Sequence, residues 1–465
     1  MTARRAVLRA TLAALVLASA GTLALGWGAT PSDVPADANH TGPPLSEREQ
    51  VVAERNGVTV LTTDPPGGTE GAAALVAFTP DGRVLYRNDT FGNYFDVDPD
   101  PPGSRTVLYV AGSRYGRCPA ALAARANRTF DDGCAEVAVE RVNLSTGATE
   151  RVHTTVTDGD IWHDVDRVGP HRLLVADIAA DRVFVLDTRT GAVGWEWRAA
   201  GALDPDSGGR PGDWTHLNDV ERLADGRVMA SLRNQDRVAF VDPGTGLLGN
   251  RTLGAEDAYG VLYEQHNPDY IPAERGGPAV VVADSENNRV VEYRYAGGRW
   301  RRVWTWRDGE LRWPRDADRL PGGHTLVTDS QGNRVIELDE HGEVVWRVDV
   351  RTPYEAERLG TGDESATGRS RAAPTGGGTR SAGAGTGAAP ADGGRATGAE
   401  RVVAFLGGPA VNGLLYAAPA WVTVRDLVAA LLLCGAALVW GALELYWCRV
   451  DPGAAGGAAD RSGGP

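Results

Sequence analysis

A short pattern, Asp-x-Asp/Glu-Arg-Val/Leu, returns along the middle of the chain at near-even intervals. It reads DVDRV from Asp164, DVERL from Asp219 and DADRL from Asp316, and DYI from Asp269 holds the same place in a weaker copy. The intervals are 55, 50 and 47 residues. A second landmark, an Arg-Val pair after a short turn, falls at Arg182, Arg237, Arg289 and Arg334, with intervals of 55, 52 and 45. Between the landmarks come short alternating strands and turns such as TRTGAV, PGTGLL, LPGGHT and DEHGEV. Gly, Asp and Pro punctuate them as turns do. Four strands in about 45–50 residues is the signature of a β-propeller blade. Two earlier, degenerate copies, at 75–89 and 94–112, bring the count to six, with five or seven also compatible. The expected fold is all-β, a six-bladed propeller over residues 50–355. GVTVLTT at 57–63 is expected to pair into the last blade and close the ring, which removes exposed sheet edges.

Apolar segments flank this region. Residues 10–27 follow Arg4, Arg5 and Arg9, so 1–28 reads as a signal peptide or an N-terminal membrane anchor. Residues 427–448 reach the ~20 needed to span a bilayer and are followed by Arg449. Arginines at the outer ends of both segments put the propeller on the extracellular face under the positive-inside rule. Residues 356–402, rich in Gly, Ala and Thr, read as a disordered linker. Residues 403–448 form a membrane-proximal segment and transmembrane helix, and 449–465 a short tail. Net charge is −14, and all 47 basic residues are Arg. Such an acidic, lysine-free surface is halophile-like, although a GC-rich genome gives the same bias, and it argues against nucleic-acid binding. Cys118 and Cys134 stand apart from Cys434 and Cys448, and on an exported domain they are expected to form a disulfide. Sequons at Asn39, Asn88, Asn127, Asn143 and Asn250 fit a surface glycoprotein.

The repeat also separates structural residues from exceptional ones. In a propeller the first strand of each blade lines the channel, so residues just before each Asp-x-Asp/Glu-Arg copy gather near one mouth. Those residues are His163, His216 with Asn218, His266 with Gln265, and Arg315. The chain has only eight His, and three of them share this repeat phase. In the fourth blade, ASLRNQDR replaces ADIAADR, ADSENNR and TDSQGNR. Ser231 stands where the others have Asp, and Arg233 where they have Ala179, Glu286 and Gln331. One carboxylate leaves and one guanidinium enters, which favours an anion held by a forked contact. Three His could hold zinc, but the neighbouring Arg and Asn prefer an anion, so no metal is expected among these residues. Trp195, Trp197, Trp304, Trp306 and Trp346 follow turns and are expected to pack between blades.

DWTHLND…ASLRNQDR, 213–237, resembles the His-x-Asn…Ser-x-Arg-x-Gln hairpin of the PAPS-independent arylsulfotransferases, which are six-bladed propellers. HDVDRV at 163 resembles their earlier His segment and EQHNPDY at 264 their later Gln-His segment. The likeness covers residues ~75–350. It implies transfer of a sulfuryl group from a phenolic sulfate ester to another phenol through a sulfated histidine, without a cofactor. By motif, His266 takes the nucleophile position, and His216, His163, Arg233 and Asn218 the sulfate-binding and acid–base positions. Arg315 and Gln265 are expected beside the substrate. The implied partners are a small-molecule donor and acceptor. The large N-terminal β-domain of the best-known enzymes is missing here, and apolar segments flank the propeller instead. A non-catalytic anion- or solute-binding propeller and a quinone-dependent dehydrogenase remain the alternatives.

Overall fold

The computed structural model describes residues 2–28, 44–65, 73–210, 213–362, 367–371, 408–418 and 422–450. Six antiparallel sheets stand around a central channel as blades of a propeller. Blade 1 contains Thr59–Thr63, Leu75–Phe78 and Val84–Asn88. Blades 2 to 6 open with the inner strands Asn93–Pro99, Asp164–Gly169, Leu217–Arg222, His266–Ile271 and Pro314–Arg319. Five sheets have four strands. Blade 4 has five, because its outer strand is split into Gly246–Leu247 and Leu253–Gly254.

The ring closes with strands from both ends of the repeat. Pro353–Arg358 pairs antiparallel with Thr59–Thr63 and becomes the inner strand of blade 1. The 57–63 segment thus meets the last strand of the repeat, but inside the first blade rather than as an addition to the last. The propeller sheet runs to Arg358, three residues past the expected boundary at 355.

Local chemistry accounts for the second landmark. Asp181, Asp236, Asn288 and Asn333 adopt left-handed backbone angles, with φ of 49–53°, which Asp and Asn tolerate better than other side chains. The Arg that follows turns back to an Asp five residues earlier: Arg182 to Asp177 at 2.8 Å, Arg289 to Asp284 at 2.5 Å and Arg334 to Asp329 at 2.6 Å. Between blades lie apolar clusters, such as Phe95, Leu108 and Val139 of blade 2 against Val165, Val175 and Phe184 of blade 3. The tryptophans pack there as expected. The indoles of Trp195, Trp306 and Trp346 donate to Pro243, Gly342 and Ala53 in the next blade or its approach.

Among the described residues, four α-helices add to the propeller. Helix α1 is Thr2–Gly28, α2 is Ala120–Ala126, α3 is Gly408–Ala417 and α4 is Val424–Val450. The α2 insertion in blade 2 is stapled by a Cys118–Cys134 disulfide. Both α1 and α4 contain windows long and apolar enough to cross a membrane, and they pack against each other. Arg9 pairs with Glu444, and Arg5 and Arg9 lie 5.4 and 5.1 Å from the Trp447 ring. Of the expected linker, 363–366 and 372–402 lie outside the described residues, as do the tail beyond 450 and the Asn39 sequon. Residues 367–371 rest on the propeller, where Ser370 donates to Glu292 at 2.5 Å.

Candidate active site

Four of the inner strands carry an irregularity at the end nearest the histidines. Register shifts fall between Tyr94 and Val97, Leu217 and Asp219, His266 and Asp269, and Pro314 and Asp316. Such bulges turn a residue away from the regular pleat. The residues at this phase of the six blades are Phe95, His163, Asn218, His266, Arg315 and Tyr354, and every one is buried. His163 stacks on Phe95 with centroids 4.2 Å apart and lies 5.5 Å from His216. Tyr354 is 6.0 Å from His163 and 6.3 Å from His266, and the Arg315 guanidinium lies 4.7 Å from its ring. The three histidines therefore share one chamber with Arg315. His216, two residues ahead of Asn218, enters it from a left-handed backbone position at φ 45°, a conformation that costs free energy away from Gly and clusters at functional sites.

The hydrogen bonds fix which ring nitrogen each histidine presents. His163 Nδ1 lies 2.9 Å from the Ile161 carbonyl, and His216 Nδ1 lies 2.8 Å from the Asp213 carboxylate. Both partners are acceptors, so Nδ1 carries the proton. His266 Nδ1 meets Ser285 Oγ at 2.8 Å, and that hydroxyl donates to the Pro314 carbonyl at 2.7 Å. With its one hydrogen committed, Ser285 accepts from His266. All three neutral imidazoles thus hold Nδ1–H outward and present a bare Nε2. Burial, then Arg315 and Arg233, pushes His266 well below the usual imidazole range. Burial, then Arg233 and His163, does the same to His216.

Arg233 begins the turn after Val228–Leu232. Its Nη2 pairs with Glu264, its Nη1 donates to Asn234 at 2.8 Å, and its buried Nε has no partner. Arg315 donates to Asp64 at 2.8 Å and likewise keeps a buried Nε unpaired. Each guanidinium is oriented by a carboxylate and retains a spare donor. Asn218 donates to the Gln265 carbonyl at 3.2 Å. Both amide hydrogens of Gln265 are engaged, by Ser231 Oγ at 3.1 Å and Arg237 O at 2.8 Å. Ser231, in place of the Asp of the other blades, can also donate to the Gln265 backbone carbonyl, at 3.5 Å, as an ionised carboxylate could not. Gln265 has only its carbonyl oxygen free, so it positions the segment ahead of His266 and does not suit an anion.

The sequence reading missed Tyr354, Trp313, Asp213 and Ser285. Trp313 lies 5.0 Å from the Arg315 guanidinium and 5.9 Å from that of Arg233. Helix α3 reaches this wall. Its Tyr416 sits edge-on to Trp313 at 5.2 Å, and Asn412 bonds Glu286 at 2.9 Å and Asn288 at 3.2 Å. Tyr354 could have been found: EAERL from Glu355 is a further copy of the first landmark, with Glu in place of Asp.

Fold and site define a six-bladed propeller with a buried histidine–arginine chamber at the channel mouth. The arylsulfotransferase family model matches residues 164–275, a stretch that includes His216, Asn218, Arg233 and His266. Match and fold together support an arylsulfotransferase-like function in general terms. No curated protein matches the sequence. Among solved structures, a protein of unknown function from Bacteroides caccae aligns at 12% identity over 64% of this chain and 97% of its own, with a TM-score of 0.43. The periplasmic gluconolactonase of Pseudomonas aeruginosa aligns at 17% identity over 65% and 98%, with a TM-score of 0.39.

Proposed function

We propose that the protein transfers a sulfuryl group from a phenolic sulfate ester to a phenolic acceptor through a covalent intermediate on His266. The observation that carries this reading is the Ser285–His266 contact, which holds the proton on Nδ1 and leaves Nε2 as a bare nucleophile within the field of Arg315 and Arg233. A neutral imidazole is a competent nucleophile near neutral pH. Sulfuryl transfer, like phosphoryl transfer, depends mainly on positioning and charge stabilisation.

In the first half-reaction Nε2 attacks sulfur. The N–S bond forms as the S–O bond to the aryl group breaks, and the electron pair leaves on the phenolate. A phenol of pKa ~10 is a tolerable leaving group. The spare Nε–H groups of Arg233 and Arg315 face the sulfate oxygens, and Asn218 has a second amide hydrogen to offer. In the second half-reaction His216, held by Asp213 as a general base is held by its orienting carboxylate, takes the acceptor's proton. The acceptor oxygen attacks sulfur and the N–S bond breaks. The proton on His216 balances the phenolate released earlier. His163, fixed between Phe95 and Ile161 O, completes the polar wall. Two apolar terminal helices fit a membrane-anchored enzyme with its propeller outside.

The test is incubation with a chromogenic aryl sulfate, with and without phenol, at high salt. Donor alone should label His266, with the added sulfuryl mass mapped under non-acidic conditions. His266→Ala should abolish both label and turnover. His163→Ala and His216→Ala should slow transfer by ~10²- to 10⁴-fold, the range of general acid–base help. Turnover by His266→Ala without any label would end this reading.

A further inference from the structure

Beneath the histidine chamber the channel is lined with oxygen. The residues that follow the chamber ring in the six inner strands are Asp96, Asp164, Asp219, Asn267, Asp316 and Glu355. Two positions further on, from Asp98 round to Glu357, every blade again supplies Asp or Glu. Part of this pattern is stitching. Asp96 accepts from Val165 N at 3.1 Å, Asp269 from Arg319 N at 3.0 Å, Asp316 from Ala356 N at 3.0 Å and Glu355 from Val97 N at 3.1 Å. Each carboxylate thus ties its blade to the next inner strand with one oxygen.

The stitching leaves other oxygens without a donor. Asn267 is 8% exposed, and its amide nitrogen donates to Glu355 at 3.0 Å. That bond fixes the amide and leaves its carbonyl oxygen buried in the channel wall without a partner. Asp219, Asp269 and Asp318 each have one oxygen in the same condition. Ligand oxygens of Asp96, Asp98 and Glu355 lie within 4.8 Å of one another. Two oxygens bound to one calcium ion at about 2.4 Å can be no further apart than about 4.8 Å. The space between these side chains is ≈ 20 Å³, room for about one water-sized sphere.

We infer that this channel binds one hard divalent cation of the calcium class, held by Asp96, Asp98 and Glu355 with the Asn267 carbonyl oxygen as a further ligand. Oxygen-only donors in an irregular ring suit calcium, whereas magnesium demands near-ideal octahedral geometry. The ligands come from the closing strand of blade 1 and from blades 2 and 5, so the ion fastens the ring where it closes. This inference stands whether or not sulfuryl transfer is the reaction.

The test uses the full chain in detergent at fixed high salt and pH, dialysed against EDTA and then titrated with calcium chloride. Metal analysis should find about one calcium per chain after gel filtration. At calcium a hundredfold above its Kd, Tm should rise by roughly 5–10 °C over the EDTA sample. Magnesium chloride should give a smaller rise. Glu355→Gln retains an acceptor for Val97 N and should lose the retained calcium and most of the shift. Absence of retained calcium with equal Tm in EDTA and calcium would overturn the inference. So would undiminished calcium retention by the double variant Asp98→Asn, Glu355→Gln.

Discussion

At the scale of single residues, tautomer control is the sharpest feature. Ser285→Ala removes the hydrogen bond that keeps the proton on His266 Nδ1. A lost buried hydrogen bond is worth about 1–3 kcal/mol, so kcat should fall roughly 10- to 100-fold with KM little changed. Steady-state kinetics separates this from a binding defect, which would raise KM instead. Arg233→Lys should also be poor, because an ammonium cannot reproduce a forked contact to two oxygens. His216 makes a prediction with a sign. Burial lowers its affinity for a proton, Arg233 and His163 lower it further, and Asp160 opposes them. A free imidazole titrates near 6.5, so between that value and the folded one the unfolded chain binds more protons. The contribution of His216 to stability is therefore present above pH ~6.5 and lost as pH falls. The acid limb of kcat/KM should lie below the usual imidazole range and move up toward it in Arg233→Gln, as a pH–rate profile would show. The histidines and Arg233 were legible in the sequence because they break a repeat that supplies its own control. Ser285 was not, because ADSENNR reads as one more repeat turn, and only the fold reveals that its hydroxyl faces a histidine 19 residues earlier.

At the scale of elements, the inner strands do two jobs with one period. Their pleat sends the carboxylates into the channel, while the bulges send the neighbouring residues into the chamber above. The pleat was visible as Asp-x-Asp/Glu, but the bulges were not, since register depends on pairing partners absent from a linear reading. The closing strand was obscured further by the exchange of Asp for Glu at Glu355. The Cys118–Cys134 staple belongs to this scale. It closes a loop with a sequence separation of 16, for which chain entropy gives about 3 kcal/mol. Replacing both cysteines by Ser should lower blade 2 stability by about 2–4 kcal/mol, read from denaturant unfolding, and reduction of the native protein should match it. Helix α3 makes a second element-level prediction. Tyr416 supports Trp313 from outside through an aromatic pair of the kind worth about 0.5–1.5 kcal/mol. Tyr416→Ala should raise KM for aryl substrates about 2- to 10-fold and leave kcat near wild type.

At the scale of the whole molecule, closure decides whether there is a site at all. A chain ending at residue 352 would lack Tyr354 from the chamber, Glu355 and Glu357 from the channel, and the partner of Thr59–Thr63. It should lose cooperative unfolding, seen as a broad thermal transition and rapid proteolysis. The same closure has a mechanical meaning. The chain enters the ring from α1 and leaves it toward α4, and those two helices are themselves paired. The propeller thus lies in sequence between two helices that pack on each other. On the proposed reading in which both helices anchor the protein in a membrane, one cut between the propeller and α4 should leave the propeller in the membrane fraction through α1. Release into solution should need a second cut, between α1 and the first blade.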